Sequence, residues 1–194
     1  MVLTYSEDMN LGMKKGTLAP EFRAWDPRTE KEISDQELFG SEGDYSGTIV
    51  AFICNHCPYV KHLMPVWSER AVEWQKKGIQ VIAISSNDVE NYPDDRPEKM
   101  AELANQLGWD FPYLFDQSQD VARAYGAQCT PEFYLFGADR KCFYHGRFDG
   151  SSPGNDTAVT GGDLKRAVEC LLSNQPIDFE IAPSMGCNIK WKKS

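Results

Sequence analysis

The stretch Gly47-Thr48-Ile49-Val50-Ala51-Phe52-Ile53 is unbroken, apolar and rich in β-branched residues, and two cysteines follow at once in Cys54-Asn55-His56-Cys57. A run of this length without polar alternation suits a strand buried on both faces, which needs further layers above and below it. From His56 to Lys77 the apolar residues Tyr59, Leu63, Val66, Trp67, Val72 and Trp74 fall at helical spacing. Pro65 interrupts this helix and should kink it, and Gly78 stands where a C-cap would. Residues 79–86 read as a second buried strand, 97–107 as a helix closed by Gly108, 111–115 as a short strand and 117–125 as a short helix. Strands over 133–136 and 141–148 are joined by the hairpin signal Gly137-Ala138-Asp139-Arg140, and Asp163 reads as the cap of a helix running to about Ser173. Near the start, residues 25–29 read as a turn between two short strands. Alternating strands and helices followed by a hairpin give an α/β class: a central mixed sheet flanked by helices, with an N-terminal β-hairpin extension.

The length of 194 residues suits one core of ordinary size with extensions. Residues 1–16 read as a flexible polar lead-in, 17–176 as the domain, and 177–194 as a tail packing on it. Twenty basic against 29 acidic residues leave a net charge of −9, which argues against nucleic-acid binding. No stretch approaches the roughly 20 apolar residues of a membrane helix, and no basic segment followed by an apolar run opens the chain. No membrane partner and a cytoplasmic location are therefore expected. The six cysteines are unevenly spaced in a domain too large to need disulfide staples, which points to reduced thiols with one chemical pair.

Two thiols at the spacing of Cys54 and Cys57, on a first helical turn, can close a short disulfide. A helix N-terminus also brings partial positive charge and free N–H groups near Cys54, which lowers a thiol pKa from about 8.5. His56 adds charge when protonated. Half of a zinc site is the competing reading. Zinc usually takes a second close pair, which Cys129, Cys142, Cys170 and Cys187 do not form, so neither metal nor cofactor is expected. Thr130-Pro131 stands just before the strand at 132–136. A proline there is either an ordinary trans residue at a strand start or a cis residue at a special site.

A strand ending in C-x-x-C, with Thr-Pro much later at a strand start, resembles the thioredoxin superfamily. More narrowly it resembles the redoxin branch, the AhpC/TSA-type or peroxiredoxin-like thioredoxin proteins. The matching stretches are Cys54-Asn-His-Cys-Pro-Tyr-Val-Lys61, Cys129-Thr-Pro-Glu-Phe133, Gly146-Arg-Phe-Asp149 and Pro183-Ser-Met-Gly-Cys-Asn-Ile-Lys-Trp191. The resemblance spans roughly residues 17 to 191 and implies a thioredoxin fold. It implies Cys54 as an exposed attacking thiol and Cys57 as a buried resolving thiol, with Pro131 a cis-proline facing them. Thr130 would offer its backbone to an extended peptide. Thr48 stands where thioredoxins carry a buried acid, so Cys57 would need another base, Glu132 or water. The implied activity is thiol–disulfide exchange, supported by Asn55 and His56, on a disulfide-containing protein or small thiol substrate, with a dithiol protein as reductant.

Two other readings stay open. One is a peroxiredoxin-like hydroperoxide reductase with an antioxidant role, although the hydroxyl residue expected three places before the reactive cysteine is replaced by Ala51 or Cys54. The other is a redox-switched protein-binding module. Cys129 is either a further redox thiol or a small buried hydrophobe. Cys187 either folds back to form a mixed disulfide with Cys54 or lies idle in a packed tail. Cys142 and Cys170 read as packing residues, and Arg147 with Asp149 as an ion pair.

Overall fold

The computed structural model describes residues 3–5, 13–41 and 44–193. Its strands are β1 (Leu3–Tyr5), β2 (Arg23–Asp26), β3 (Lys31–Ser34), β4 (Gly47–Phe52), β5 (Ile79–Ser85), β6 (Tyr113–Phe115), β7 (Cys129–Thr130), β8 (Glu132–Gly137), β9 (Cys142–Gly146) and β10 (Met185–Asn188). Its helices are α1 (Asp35–Phe39), α2 (Pro58–Gln75), α3 (Pro97–Gln106), α4 (Asp120–Tyr125) and α5 (Gly162–Leu172). Seven strands form one mixed sheet in the order β3-β2-β6-β5-β4-β8-β9, and β1-β10-β7 form a small second sheet. This is a thioredoxin fold. Among the described residues, no helix is long and apolar enough to cross a membrane.

The apolar run forms the middle of the large sheet. Strand β4 pairs in parallel with β5 and antiparallel with β8, and every one of its residues is buried. Its side chains alternate between two cores, as a period of two requires. Ile49 and Ala51 face α2, α3 and α5 through Trp67, Trp74, Met100 and Leu164, whereas Val50 and Phe52 face α1 and α4 through Leu38, Val121 and Tyr125. Trp67 anchors the first core: its ring centroid lies 5.3 to 6.1 Å from those of Trp74, Phe111, Phe133 and Phe148. Truncating such a residue to alanine costs about 3–5 kcal/mol.

The N-terminal hairpin forms as expected from β2 and β3. Three expectations are corrected. The lead-in is not irregular throughout: Leu3–Tyr5 form a strand on β10, although the rest of 1–12 lies outside the described residues. Helix α5 is not capped by Asp163, which sits in its first turn behind Gly161, the N-cap, with φ +68°. Arg147 ion-pairs with Asp163 at 2.5 Å rather than with Asp149, which instead accepts from Ser151, Thr160 and Gly161. Within residues 177–194 the chain forms one strand, Met185–Asn188, paired with β1 and β7.

Candidate active site

Strand β4 delivers Cys54 to the edge of the sheet where the parallel strands β4 and β5 both end, the usual place for a site in α/β proteins. Helix α2 starts at Pro58, a good N1 residue because its missing N–H needs no partner there. Cys57 is therefore the N-cap, and the helix begins two residues later than the His56 start read from the sequence. Cys54 is not the exposed thiol that the resemblance implies: it is 1% exposed and Cys57 is fully buried.

The two thiols act on each other, and their ionisations are pushed in opposite directions. The hydrogen bond from Cys54 holds the Cys57 thiol down at about 5 against the opposing effect of burial, helped by the Cys187 thiol and by the N–H groups of Val60 and Cys187. Burial pushes the Cys54 thiol well above its ordinary value, as do its bond to Cys57 and the Asp95 carboxylate, with the Thr130 hydroxyl opposing. The helix start thus stabilises a thiolate on Cys57 rather than on Cys54. When protonated, Cys57 lies 3.2 Å from the Thr130 carbonyl, to which it donates.

The peptide bond Thr130-Pro131 is cis. Thr130 faces the pair with its hydroxyl 3.3 Å from the Cys54 sulfur. Its backbone is not open to an incoming peptide, contrary to expectation. Strand β10 already runs antiparallel along this edge, with Cys187 opposite Thr130 and Asn188 opposite Cys129. The approach is so close that a Cβ on Gly186 would lie 2.1 Å from the Thr130 carbonyl oxygen. Only glycine fits there.

His56 lies 3.9 Å from the Cys54 sulfur through Nδ1. The same Nδ1 donates to the Asp95 carboxylate at 2.6 Å, so its proton is committed and it does not serve as a base toward Cys54 in this arrangement. The ring stacks on Tyr92 at 5.3 Å. Asp95, fully buried, also accepts from the backbone N–H groups of Asn55 and His56 and from the Asn87 amide. Asn55 is held between the Asp94 carbonyl and the Tyr113 hydroxyl. Asp95 is the functional residue that the sequence reading missed. Its one signal is position: a polar segment following a buried parallel strand, at the sheet edge where sites form. Cys54, His56 and Asp95 offer three possible metal-ligand atoms within 4.8 Å of one another, but a metal there would have to break hydrogen bonds that now satisfy both Asp95 oxygens.

Glu132 does not serve Cys57. Its buried carboxylate accepts from the N–H groups of Gln128 and Cys129, from the Tyr134 hydroxyl and from His145 Nε2. It also lies 3.7 Å from the Cys129 sulfur. Burial and the Glu132 charge push the Cys129 thiol well up, so it behaves as a small protonated hydrophobe. Cys187 is brought to the sulfur of Cys57, not to that of Cys54.

Residues 16–145 match the model of the AhpC/TSA family. The chain belongs to that family. Among solved structures it is similar to an uncharacterized conserved protein from Geobacillus kaustophilus, 40% identical with a TM-score of 0.92, over 100% of this chain and 98% of that one. It is also similar to a hypothetical protein from Sinorhizobium meliloti 1021, 38% identical with a TM-score of 0.89, over 94% and 97% of the two chains. A curated relative is the thiol-disulfide oxidoreductase ResA of Geobacillus thermodenitrificans, 27% identical over 127 residues. That match spans 65% of each protein, so the chain covers just under two-thirds of this relative's length.

Proposed function

We propose that this AhpC/TSA protein is a thiol–disulfide oxidoreductase whose working pair is Cys54 and Cys57. The observation that carries the reading is the placement of two buried cysteines three residues apart at a helix start, both against Thr130: the Cys54 sulfur 3.3 Å from its hydroxyl and the Cys57 sulfur 3.2 Å from its carbonyl. Cys54 attacks a substrate disulfide and gives its proton to the Cys57 thiolate, which has the Thr130 carbonyl ready as its partner. One substrate sulfur leaves as a thiolate and takes that proton from Cys57. The Cys57 thiolate then attacks Cys54, closing the Cys54–Cys57 disulfide and expelling the second substrate thiolate. A dithiol protein returns the pair to the reduced form. Chemistry of this kind needs neither metal nor cofactor. We further propose a cytoplasmic location, with disulfide-containing proteins or small disulfides as substrates.

His56 and Asp95 set the potential, His56 favouring the Cys54 thiolate and Asp95 opposing it. The couple is expected above thioredoxin's about −270 mV and below the about −120 mV of the strongest oxidants. Equilibration with glutathione measures it, and a value at or below thioredoxin's refutes the part given to His56. Insulin reduction driven by a dithiol tests the activity: Cys54→Ser and Cys57→Ser each abolish turnover. No turnover in the wild type favours the binding-module reading.

A second reading, hydroperoxide reduction, has one observation behind it. The Thr130 hydroxyl beside the Cys54 sulfur supplies the group that the residues before the motif lack. Following thiol loss after mixing with peroxide decides it: oxidation faster than that of free cysteine by orders of magnitude supports it.

A further inference from the structure

The tail strand β10 does more than close the fold. Cys57 Sγ lies 3.2 Å from the Thr130 carbonyl, and Cys187 stands directly opposite Thr130 in the ladder. The Cys187 thiol and N–H both act to lower the Cys57 thiol's pKa, as close neighbours of that sulfur would. Cys187 is held there from two sides, with Leu3 of β1 opposite it on the far edge and Gly186 pressed onto the Thr130-Pro131 peptide. The next residues tie the strand down further. The N–H of Lys190 donates to Asn87, and its carbonyl accepts from Asp88 and Gln119. Three thiols are therefore gathered around Thr130, with Cys57 influenced by both Cys54 and Cys187.

We propose that Cys187 is a third redox thiol and that the oxidised protein exchanges between two internal disulfides, Cys54–Cys57 and Cys57–Cys187. The inference rests on the thiol–disulfide reading of the site. In the step, the Cys187 thiolate attacks Cys57 Sγ. The Cys57–Cys187 bond forms, the Cys54–Cys57 bond breaks, and Cys54 leaves as a thiolate that takes up the proton lost by Cys187. Electrons balance without an outside oxidant, because one disulfide is exchanged for another. In the reduced protein Cys187 stays protonated. Burial first, and then the influence of the Cys57 thiol and its charge, push it up to about 12. Both contributions from Cys57 vanish once Cys57 is bound in a disulfide, so the third thiol ionises more readily in the oxidised protein, against the burial that remains. Lys190 assists its ionisation. The exchanged form frees Cys54 and fastens the tail covalently over the cis-proline edge. Cys129, although near, is no rival for this role, since Glu132 and burial keep its thiol protonated.

Disulfide mapping by mass spectrometry, after diamide oxidation and acid quenching, tests this. In the wild type, Cys54–Cys57 and Cys57–Cys187 are both expected. In Cys54→Ser, Cys57–Cys187 becomes the disulfide of the site, and alkylatable thiols fall from the five remaining cysteines to three. In Cys187→Ser, Cys54–Cys57 alone persists, which shows that the site still folds. A Cys54→Ser protein whose Cys57 stays free or takes only an external thiol, while the wild type closes Cys54–Cys57, overturns the third-thiol proposal and leaves the exchange reading standing. A wild type that forms no disulfide at Cys54 or Cys57 overturns both.

Discussion

Replacing Asp95 by asparagine isolates one charge at the site. The Asp95 carboxylate and the Cys54 sulfur lie within 4.8 Å of each other, with His56 Nδ1 between them. Two unit charges at that distance interact by about 3.5 kcal/mol at the effective dielectric of about 20 that suits protein sites. For a two-electron couple this is a ceiling of about 75 mV. The thiolate rests mainly on Cys57, so only part of that ceiling reaches the potential. Asp95→Asn is expected to raise it by about 20–60 mV, because the charge that opposes the reduced, thiolate-bearing form is gone. The same change has a structural cost. One Asp95 oxygen accepts from His56 and Asn87, and an amide NH2 placed there faces two donors, for a loss of about 1–3 kcal/mol. Equilibration against glutathione reads the potential, and urea denaturation of the reduced protein reads the stability. A folded variant whose potential is unchanged or lower refutes the assignment of Asp95 as the group opposing a thiolate at Cys54.

The Cys57 thiol titrates in the acid range, so the thiolate ultraviolet absorbance of the reduced protein should appear with a midpoint near 5 and be lost in Cys57→Ser. Because this folded-state value is depressed, its contribution to stability is absent below about 5, grows as pH rises and is complete at the ordinary thiol value of 9.0. Above that, the raised Cys54 works in the opposite direction, so the reduced form loses what the oxidised form keeps. Comparing reduced and oxidised denaturation midpoints across pH checks both signs. Glu132→Gln leaves two of four donors facing an amide NH2 and should cost about 1–3 kcal/mol in urea denaturation, with no matching change in the Cys54–Cys57 potential. Gly186→Ala cannot keep β10 in place, since its Cβ would meet backbone at 2.1 Å. Alkylation of the site cysteines should quicken by about tenfold for each 1.4 kcal/mol of strand stability lost, and an unchanged rate would show that β10 does not guard the pair.

The large sheet was legible because its strands are continuous apolar runs and its helices carry apolar residues at regular spacing. Helix α1 was not, since five residues are too few to show a period, yet Ser34 and Glu37 close a capping box there. Strands β7 and β10 carry no apolar alternation. They are held by pairing between residues 129–130 and 187–188, which no local pattern encodes. The same reason separates the parts of the site. Cys54, Cys57, Thr130 and Pro131 lie in motifs that can be seen along the chain. Asp95 and the Cys57–Cys187 contact arise only when distant segments meet. Glu132 was misassigned because nearness in sequence to Pro131 does not fix where a side chain points, and its carboxylate turns to Cys129, Tyr134 and His145.

Strand β10 also gives the site a history within the life of each molecule. A chain is made from its N-terminus, and 130 residues separate Cys57 from Cys187. At about 5–20 residues per second, roughly 6–26 s pass between the synthesis of the cysteine pair and that of the strand that covers it. During that interval β4 and α2 can form while the cis-proline edge has no partner. The two thiols therefore meet the surrounding pool of small thiols and disulfides before they meet their own tail. Strand β10, made later, then closes over the edge beside them.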